Sequence, residues 1–500
     1  MKRTKIGLVL SLATVLSLAS CTIEFSNPFN VGIYASNSEE VFANGKSYFQ
    51  NIMSNKGMET MPSIGNSKML VVPIVFANDI YQTISDSVDW NDVRNDINTC
   101  FFGTSADTNY WESVSSFYNK SSYGNLNLTG TVGDFVYVDN SVSQYQKEIN
   151  DGDKKVTDIT NSFLEQAYSQ YFENGNLDYT DYDSDNDGYI DDVFLVYCSP
   201  YNPNDSTNLL WAYTYWDTNA TAKHVKTYSW ASYNFMKEGT NTGIDAHTFI
   251  HETGHAMGLD DYYSYDEGNT REPLGRLDMM DFNILDHNAF SKYNLGWITP
   301  VVADYNKTYA LKPFQDSGDA LILANNFNGT CFDEFLIISY YTPTGLNALD
   351  SSTAYAGFPI KGFEQPGIKV IHVDQRLGKF TYSDTRKAFL WDGGHEDNPS
   401  DEKMDDAFYE VLNSNTKSYC YENDSFALAS LVQASGQTNL MDDIADSRIA
   451  SDDDLFTTTS KQLGDTVFPN FTFDDSTTIP AKMNITSLDS NGATITFTQK

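Results

Sequence analysis

Residues 251–255, HETGH, place two histidines four positions apart, with a glutamate directly after the first. On a helix, His251 and His255 lie one turn apart on the same face, so both imidazoles can reach one zinc ion at about 2.0–2.1 Å. Glu252 lies at the flank of that face. There it can accept a proton from a water molecule activated by the metal, without ligating the metal itself. The pattern predicts a catalytic zinc site.

The residues on either side of this motif predict the helix that carries it. Asp245 is a suitable N-cap, because its carboxylate can accept a free backbone N–H of the first turn. Gly258 is suited to the left-handed position that ends a helix and turns the chain back. The sequence therefore predicts a short helix between these two residues.

A third zinc ligand is expected after the turn, where two adjacent acids compete. Asp261 lies six residues beyond His255, far enough for the chain to reverse. Asp260 is one residue nearer, and in an extended segment its side chain would point the other way. We expect His251, His255 and Asp261 to bind one Zn²⁺ with a fourth position open.

HETGHAMGLDD resembles the HExxHxxGxxD signature of the immune inhibitor A family of secreted bacterial zinc metalloproteases, which are relatives of the metzincins. LDMMDFNILDHNAFSKYNLGW resembles the Met-turn of that family and its Lys-Tyr-x-Leu-Gly-Trp stretch. The resemblance covers roughly residues 67–500 and implies a metzincin-like zinc endopeptidase. It also implies that Met280 is the Met-turn methionine, packed beneath the zinc ligands.

Two positions depart from that family's pattern. Many metzincins have a tyrosine two residues after the Met-turn methionine that helps to hold the oxyanion, and this chain has Phe282 there. Tyr262 or Tyr263 would have to take that role, or nothing does. The family usually has Glu and Arg where this chain has Ser339 and Tyr341.

The segment DYDSDNDGYIDD predicts a calcium loop. Asp183, Asp185 and Asp187 precede Gly188 as in the first half of an EF-hand loop, where alternate carboxylates converge on one hard cation, and Asp191 fits the ninth position. A hydrophobic, strand-like run follows from residue 193, so no EF-hand helix pair is expected. A solvated acidic turn is the alternative.

Composition excludes several classes of function. The chain has 31 basic and 68 acidic residues, a net charge of -37. Nucleic acids and anionic membrane surfaces are therefore poor partners, whereas cations are good ones. Acidity that only keeps an exported protein soluble is the simpler account of much of this charge.

The N-terminus reads as an export signal. Basic residues are followed by a short apolar stretch over residues 6–18, too short to span a membrane stably. The stretch ends in LASC, which resembles a bacterial lipobox. Cleavage would leave a lipid-modified Cys21 at the mature N-terminus, outside a bacterial membrane. A plain secretory signal is the alternative.

Length and pattern predict two folded units after the signal peptide of residues 1–21. Residues 22–66 read as a tether or a short pro-segment, and residues 67–300 as an α/β (α+β) zinc metalloprotease domain. From residue 301 to residue 500, short strands with period-two patterning predict a mostly β, sandwich-like domain. His372 and Asp374 lie in one of these strands and are read as structural residues, not as a second metal site.

The remaining cysteines give little constraint. Cys100, Cys198, Cys331 and Cys420 allow three pairings in an exported protein, but they lack the spacing of a metal site. Buried free thiols are an equal alternative.

We therefore expect a cell-surface zinc endopeptidase that acts on extracellular proteins or peptides. Two other functions stay open: a surface binding lipoprotein on a protease scaffold, and a zinc exopeptidase. An intact Glu252 argues against the first of these, because a binding protein has no need of a general base. No specific pocket for a free chain terminus is visible in the sequence.

Overall fold

The computed structural model describes much of the chain after residue 44. The described residues are 45–55, 58–77, 89–217, 219, 221–240, 242–265, 271–329, 333–374, 378–383, 388–391, 408–410, 414–415, 427–442, 448–474 and 476–500. They form two compact units, of which the first ends at Leu259 and the second begins at Asp260. This division falls earlier in the chain than the predicted boundary at residue 300. The protein is a mixed α/β structure with several sheets.

The first unit combines one sheet with several helices. Its strands are β1 (Gly65–Val75), β2 (Leu126–Val132), β3 (Val136–Tyr137), β4 (Val193–Tyr197), β5 (Tyr213–Trp216) and β6 (Thr227–Ser232). Its helices are α1 (Tyr48–Asn55), α2 (Trp90–Phe102), α3 (Val114–Ser121), α4 (Val142–Asn150), α5 (Val156–Tyr168) and α6 (His247–Ala256).

The sheet of the first unit has the strand order β2-β1-β4-β6-β5, and β3 also pairs with β1. All of these pairs are parallel except β5 with β6. A proline lies where β1 changes its partner on one side: β1 pairs with β2 as far as Val71 and with β3 from Ile74. Pro73 thus occupies the break, where a missing N–H is tolerated.

Residues 45–66 belong to the segment that was expected to be a tether or a short pro-segment. The part of them that the structure describes includes α1 and the start of β1 and belongs to the first unit, so it is not a tether. Phe49, Met53 and Met61 are buried. The apolar side chains of this segment are separated by polar residues, a pattern that is also typical of linkers. In the structure these apolar side chains are part of the hydrophobic core.

The second unit is mainly β. Its strands are β7 (Val301–Val302), β8 (Thr308–Leu311), β9 (Ala320–Leu323), β10 (Glu334–Tyr341), β11 (Gly367–Asp374), β12 (Gly378–Ser383), β13 (Ala388–Trp391), β14 (Phe408–Glu410), β15 (Ala429–Leu431), β16 (Ala481–Asp489) and β17 (Gly492–Gln499). Its helices are α7 (Met279–Phe282), α8 (Ala289–Asn294), α9 (Phe314–Ser317) and α10 (Ala348–Ser352).

The described residues of this unit form three sheets. A five-stranded sheet has the order β15-β11-β10-β9-β7, and two three-stranded sheets have the orders β13-β12-β14 and β16-β17-β8. One hydrophobic core includes side chains from the five-stranded sheet, such as Leu336 and Val370, and from the β16-β17-β8 sheet, such as Ile495. The expected change to β structure after residue 300 is therefore present.

Several predicted features lie outside the described residues: the signal peptide of residues 1–21, Cys21, Cys331 and Cys420. Cys100 and Cys198 are both buried. Among the described helices, none combines the length and apolar character needed to cross a bilayer.

Candidate metal centre

Helix α6 carries the two histidines of the HETGH motif. It begins at His247, and the carboxylate of Asp245 accepts the backbone N–H of His247 at 3.0 Å. The predicted N-cap is therefore wrong by one residue: the N-cap is Ala246, and Asp245, one residue before it, accepts the N–H of the first helical residue. The helix ends before Gly258, whose φ of +97° is the left-handed conformation that the sequence predicted. It packs against β5 and β6.

Three side chains at the end of α6 and in the loop after it are placed to hold a metal ion. His251, His255 and Asp261 each offer a ligand atom, and these atoms lie within 4.8 Å of one another. All three residues are buried. Two imidazoles and one carboxylate form a donor set that suits Zn²⁺ and leaves a fourth position for water or substrate. The three predicted ligands thus come together, and they fit zinc.

The ring of His255 is oriented by a backbone carbonyl. Its Nδ1 lies 2.8 Å from the carbonyl oxygen of Leu259, so Nδ1 donates a proton there. This hydrogen bond leaves the Nε2 lone pair for a metal. In metal-binding histidines, a hydrogen bond from the ring nitrogen that does not bind the metal usually fixes the orientation of the ring.

Tyr265 contacts both of the acids that competed for the third ligand position. Its hydroxyl lies 2.6 Å from an oxygen of Asp260 and 2.6 Å from Oδ2 of Asp261. Asp260 also accepts the backbone N–H of Asp261 at 2.9 Å. The two carboxylates therefore have different surroundings. Asp261 is grouped with the two histidines, whereas Asp260 binds a backbone N–H of the loop. Sequence reasoning missed Tyr265.

Glu252 is held by a side chain from the neighbouring strand β5. The hydroxyl of Thr214 lies 2.9 Å from Oε2 of Glu252 and 3.0 Å from its backbone oxygen. Ser229 lies 2.8 Å from the same hydroxyl. Glu252 is buried. Because the hydrogen bond fixes its orientation, this carboxylate is already placed to accept a proton. No feature of the sequence predicted the contact with Thr214.

Three residues singled out by the sequence, Met280, Tyr262 and Tyr263, belong to the second unit and are buried or partly buried. The backbone oxygen of Met280 accepts the N–H of Tyr262 at 2.8 Å. The hydroxyl of Tyr262 lies 2.7 Å from Oγ of Ser291 and is buried. Tyr263 is half-buried, and its ring meets the ring of Tyr265 edge-on. Of the two tyrosines, Tyr263 is therefore the better candidate for oxyanion support.

His247, one turn before His251, is not grouped with the metal-ligand candidates. Its Nδ1 lies 2.6 Å from Asp245, and its ring stacks on Trp111 with ring centroids 4.1 Å apart. These contacts fit a residue that anchors the start of α6.

Gln50 and Met61 provide hydrogen-bond donors for the carbonyl groups at the C-terminal end of α6. The side-chain amide of Gln50 donates to the carbonyl of Met257 at 3.0 Å, and the N–H of Met61 donates to the carbonyl of Ala256 at 2.8 Å. The last carbonyls of a helix have no intrahelical donors. Residues 45–64 thus stabilise the helix end beside His255.

The acidic loop brings the predicted calcium ligands together in two overlapping groups. Ligand atoms of Asp183, Asp185 and Asp191 lie within 4.8 Å of one another, as do those of Glu59, Asp185 and Asp187. Glu59 was not expected, because it is 126 residues before Asp185 in the chain, the difference of their numbers. The ligand atoms that both groups offer are carboxylate oxygens, which suit Ca²⁺.

Within this loop, backbone N–H groups point at the carboxylates. Asp183 accepts the N–H groups of Asp187 at 3.0 Å and of Gly188 at 2.9 Å. Burial raises the pKa of Asp187 to about 6, with Asp185 adding to the effect, and burial raises the pKa of Asp191 to about 7. Carboxylates gathered in this way repel one another until a cation or a proton neutralises them.

A lysine already supplies one positive charge to these acids. The ammonium of Lys46 lies 2.6 Å from Asp185 and also pairs with Glu59. Burial disfavours the charge on Lys46, but the carboxylates of Glu59 and Asp185 outweigh burial and raise the pKa of the lysine.

Comparison with known proteins adds no identification. No protein-family model matches the chain, and no curated protein matches it. The resemblance to the immune inhibitor A family therefore stays a prediction that depends on the motifs alone.

Proposed function

We propose that the protein is a zinc-dependent endopeptidase that hydrolyses peptide bonds of extracellular proteins. The observation that carries the proposal is the grouping of His251, His255 and Asp261, with Glu252 beside it. A binding protein would need no buried carboxylate next to a metal site, and Thr214 would have no reason to orient it.

The residues of the chain have separate tasks in this proposal. A bound zinc ion would supply Lewis-acid activation of the scissile carbonyl and of water. Glu252 accepts the proton of the attacking water and returns it to the leaving amine. Thr214 holds the carboxylate of Glu252 for both transfers, and Tyr265 holds the carboxylate of Asp261 in position. Tyr263 is the candidate for oxyanion support.

The fold belongs to the same proposal. We infer a metzincin-like protease domain, with Met280 as its Met-turn methionine, followed by a sandwich-like C-terminal domain. The mixed sheet with an antiparallel edge strand β5 and the helix α6 packed on it support the first part. The core that includes side chains of two sheets in the second unit supports the second part.

Calcium is the second proposed cofactor. Asp183, Asp185, Asp187 and Asp191 would bind it as a structural ion, with Glu59 as an added ligand candidate. The support is a ring of oxygen donors that carries excess negative charge in a partly buried place.

The protein would act at the outside of a bacterial membrane, bound only through a lipid on Cys21. The LASC sequence supports this localisation. Metabolic labelling with a fatty-acid analogue should mark the wild type and leave Cys21→Ser unmarked. Equal labelling of both, or of neither, would remove the anchor from the proposal.

A peptide library incubated with purified protein tests the activity. We expect internal cleavage that a zinc chelator abolishes and added zinc restores. Glu252→Gln should lose at least about two orders of magnitude in turnover while keeping its zinc, as expected for a missing general base. Glu165→Gln, which changes an exposed glutamate on α5, is the matched control and should keep full activity. Unchanged turnover in Glu252→Gln would refute the proposed function.

A further inference from the structure

The second unit contains a group of side chains that the proposed activity does not use. In the antiparallel pair of β10 and β11, Glu334 lies opposite Asp374, and Leu336 lies opposite His372. Side chains two residues apart on a strand project from the same face. Glu334, His372 and Asp374 therefore share one face of the sheet, the face on which Leu336 joins the hydrophobic core.

A third segment of the chain meets this face. Oε1 of Glu334 lies 2.8 Å from Nε2 of His372 and accepts the backbone N–H of Asp474 at 2.5 Å. Glu334, His372 and Asp474 each offer a ligand atom, and these atoms lie within 4.8 Å of one another. Two strands and a distant loop thus bring one imidazole and two carboxylates to one point.

Neighbouring aromatic rings hold the imidazole of His372 in place, while the group stays accessible from the side of Asp474. The ring of His372 is flanked by the rings of Phe468, at a centroid distance of 5.2 Å, and Phe473, at 6.1 Å. The side chain of Glu334 is only 4% exposed, whereas Asp474 is exposed. An ion could therefore arrive past Asp474 and meet ligands whose positions are already fixed.

We propose that Glu334, His372 and Asp474 form a second metal site, which takes a divalent transition ion such as zinc. An imidazole nitrogen beside carboxylate oxygens suits Zn²⁺ and its first-row neighbours, whereas Ca²⁺ and Mg²⁺ take oxygen ligands. The site is structural in kind, because it would join β10 and β11 to the loop at residue 474. His372 was expected to be a structural residue of a strand, and its partners Glu334 and Asp474 lie 38 and more than 100 residues away in the chain.

Zinc binding to the full-length His255→Ala protein tests this site. The His255→Ala change removes a ligand of the other histidine centre, and excess calcium keeps zinc from the acidic loop. At micromolar free zinc, we expect about one zinc per chain by elemental analysis. Asp474→Asn in this background should weaken zinc binding at least about tenfold, because the loss even of a residue that only orients a metal ligand costs 10–100-fold. His372→Gln should do the same.

Asp453→Asn is the matched control, since it removes one exposed negative charge from the same unit without touching the group. It should bind zinc as its parent does. The thermal midpoint of each variant without zinc shows that it is folded, and Asp474 is exposed enough for its substitution to leave the fold intact. Absence of bound zinc in the His255→Ala protein would overturn the proposal. Equal binding by Asp474→Asn, His372→Gln and the control would overturn it too.

Discussion

The ammonium of Lys46 lies 2.6 Å from a carboxylate oxygen of Asp185, the residue that the two groups of acidic side chains share. The ammonium of Lys46 neutralises part of the negative charge that a bound calcium ion would otherwise neutralise. A calcium ion bound here would therefore compete with Lys46 for the same carboxylate, although Lys46 is 139 residues before Asp185, the difference of their numbers.

We predict that Lys46→Met binds calcium about tenfold more tightly than the wild type. A like charge about 4 Å away costs at least about 1 kcal/mol, and 1.36 kcal/mol is a factor of ten. Isothermal titration with calcium measures the change. Lys147→Met, which removes an exposed lysine of α4, should leave the affinity as it is. Weaker calcium binding in Lys46→Met would mean that the lysine supports the site instead of competing for it.

Thr214→Val should lower kcat about tenfold and leave the zinc content near that of the wild type. The substitution keeps the shape of the side chain but removes the hydroxyl 2.9 Å from Oε2 of Glu252. A hydrogen bond to a charged group contributes about 1.5–3 kcal/mol. Steady-state kinetics on a peptide substrate, combined with elemental analysis, separates the two effects. A loss of zinc in parallel with activity would show that Thr214 acts on the metal site as a whole.

Asp261→Ala should lose zinc during dialysis, whereas Asp260→Ala should keep about one zinc per chain at the His251 site. Only Asp261 is grouped with the two histidines, and Asp260 accepts a backbone N–H in the loop. Tyr265→Phe should fall between them, with zinc affinity reduced about 10- to 100-fold, as for other residues that orient a metal ligand. Elemental analysis of the three proteins measures the zinc content. With His372→Gln added to each of them, zinc at the second proposed site does not contribute to the result. Zinc loss in Asp260→Ala but not in Asp261→Ala would transfer the ligand role to Asp260.

Glu238 makes the stability of the protein depend on pH. Burial raises its pKa to about 7 from 4.5; Tyr201, which donates to it at 2.6 Å, and His247 oppose the rise, and Asp245 adds to it. The folded protein thus holds this proton more tightly than the unfolded chain. The stabilising contribution is full below pH 4.5 and is lost as the pH rises to about 7.

Glu238→Gln should therefore flatten the dependence of the thermal midpoint on pH between 4.5 and 7, and raise the midpoint at pH 8. Thermal melts at a series of pH values measure both. Glu165→Gln, with its exposed side chain, should melt like the wild type at every pH. A Glu238→Gln profile parallel to that of the wild type would show that Glu238 does not retain its proton.

Lys292→Met should destabilise the protein by about 3–5 kcal/mol, the usual cost of leaving one partner of a buried ion pair alone. Lys292 lies 2.5 Å from Asp286, and both side chains are buried. Burial lowers the pKa of Lys292, and Asp286 opposes that effect. Urea unfolding measures the loss, and Lys292→Met with Asp286→Asn should recover part of it. A double variant no more stable than Lys292→Met would exclude the unpaired aspartate as the cause.

Features set by neighbouring residues could be predicted from the sequence. The contact of Asp245 with the first turn of α6, the turn at Gly258 and the convergence of His251 and His255 all depend on positions within one or two turns of helix. The strand and helix periods were also visible, and β4 and α5 follow them. Local geometry is enough to place such groups.

Features that need distant residues could not be predicted. Thr214 reaches Glu252 from a strand 38 residues earlier, and Glu59 joins the acidic loop from the segment taken for a tether. Period and spacing carry no information about which strand becomes the neighbour of a helix. The same is true of Asp474, whose approach to Glu334 depends on how the second unit folds.

The hydrogen bond from Gln50 to Met257 joins residues 207 positions apart in the chain. During synthesis, Gln50 leaves the ribosome long before its acceptor exists. Contacts between such distant residues also form slowly, because the entropy of closing a long loop must be lost first. The turn of helix that carries His255 therefore gains its last donors only when the first unit has been made to its end. Metal loading is accordingly expected to be a late step in the life of the newly made chain.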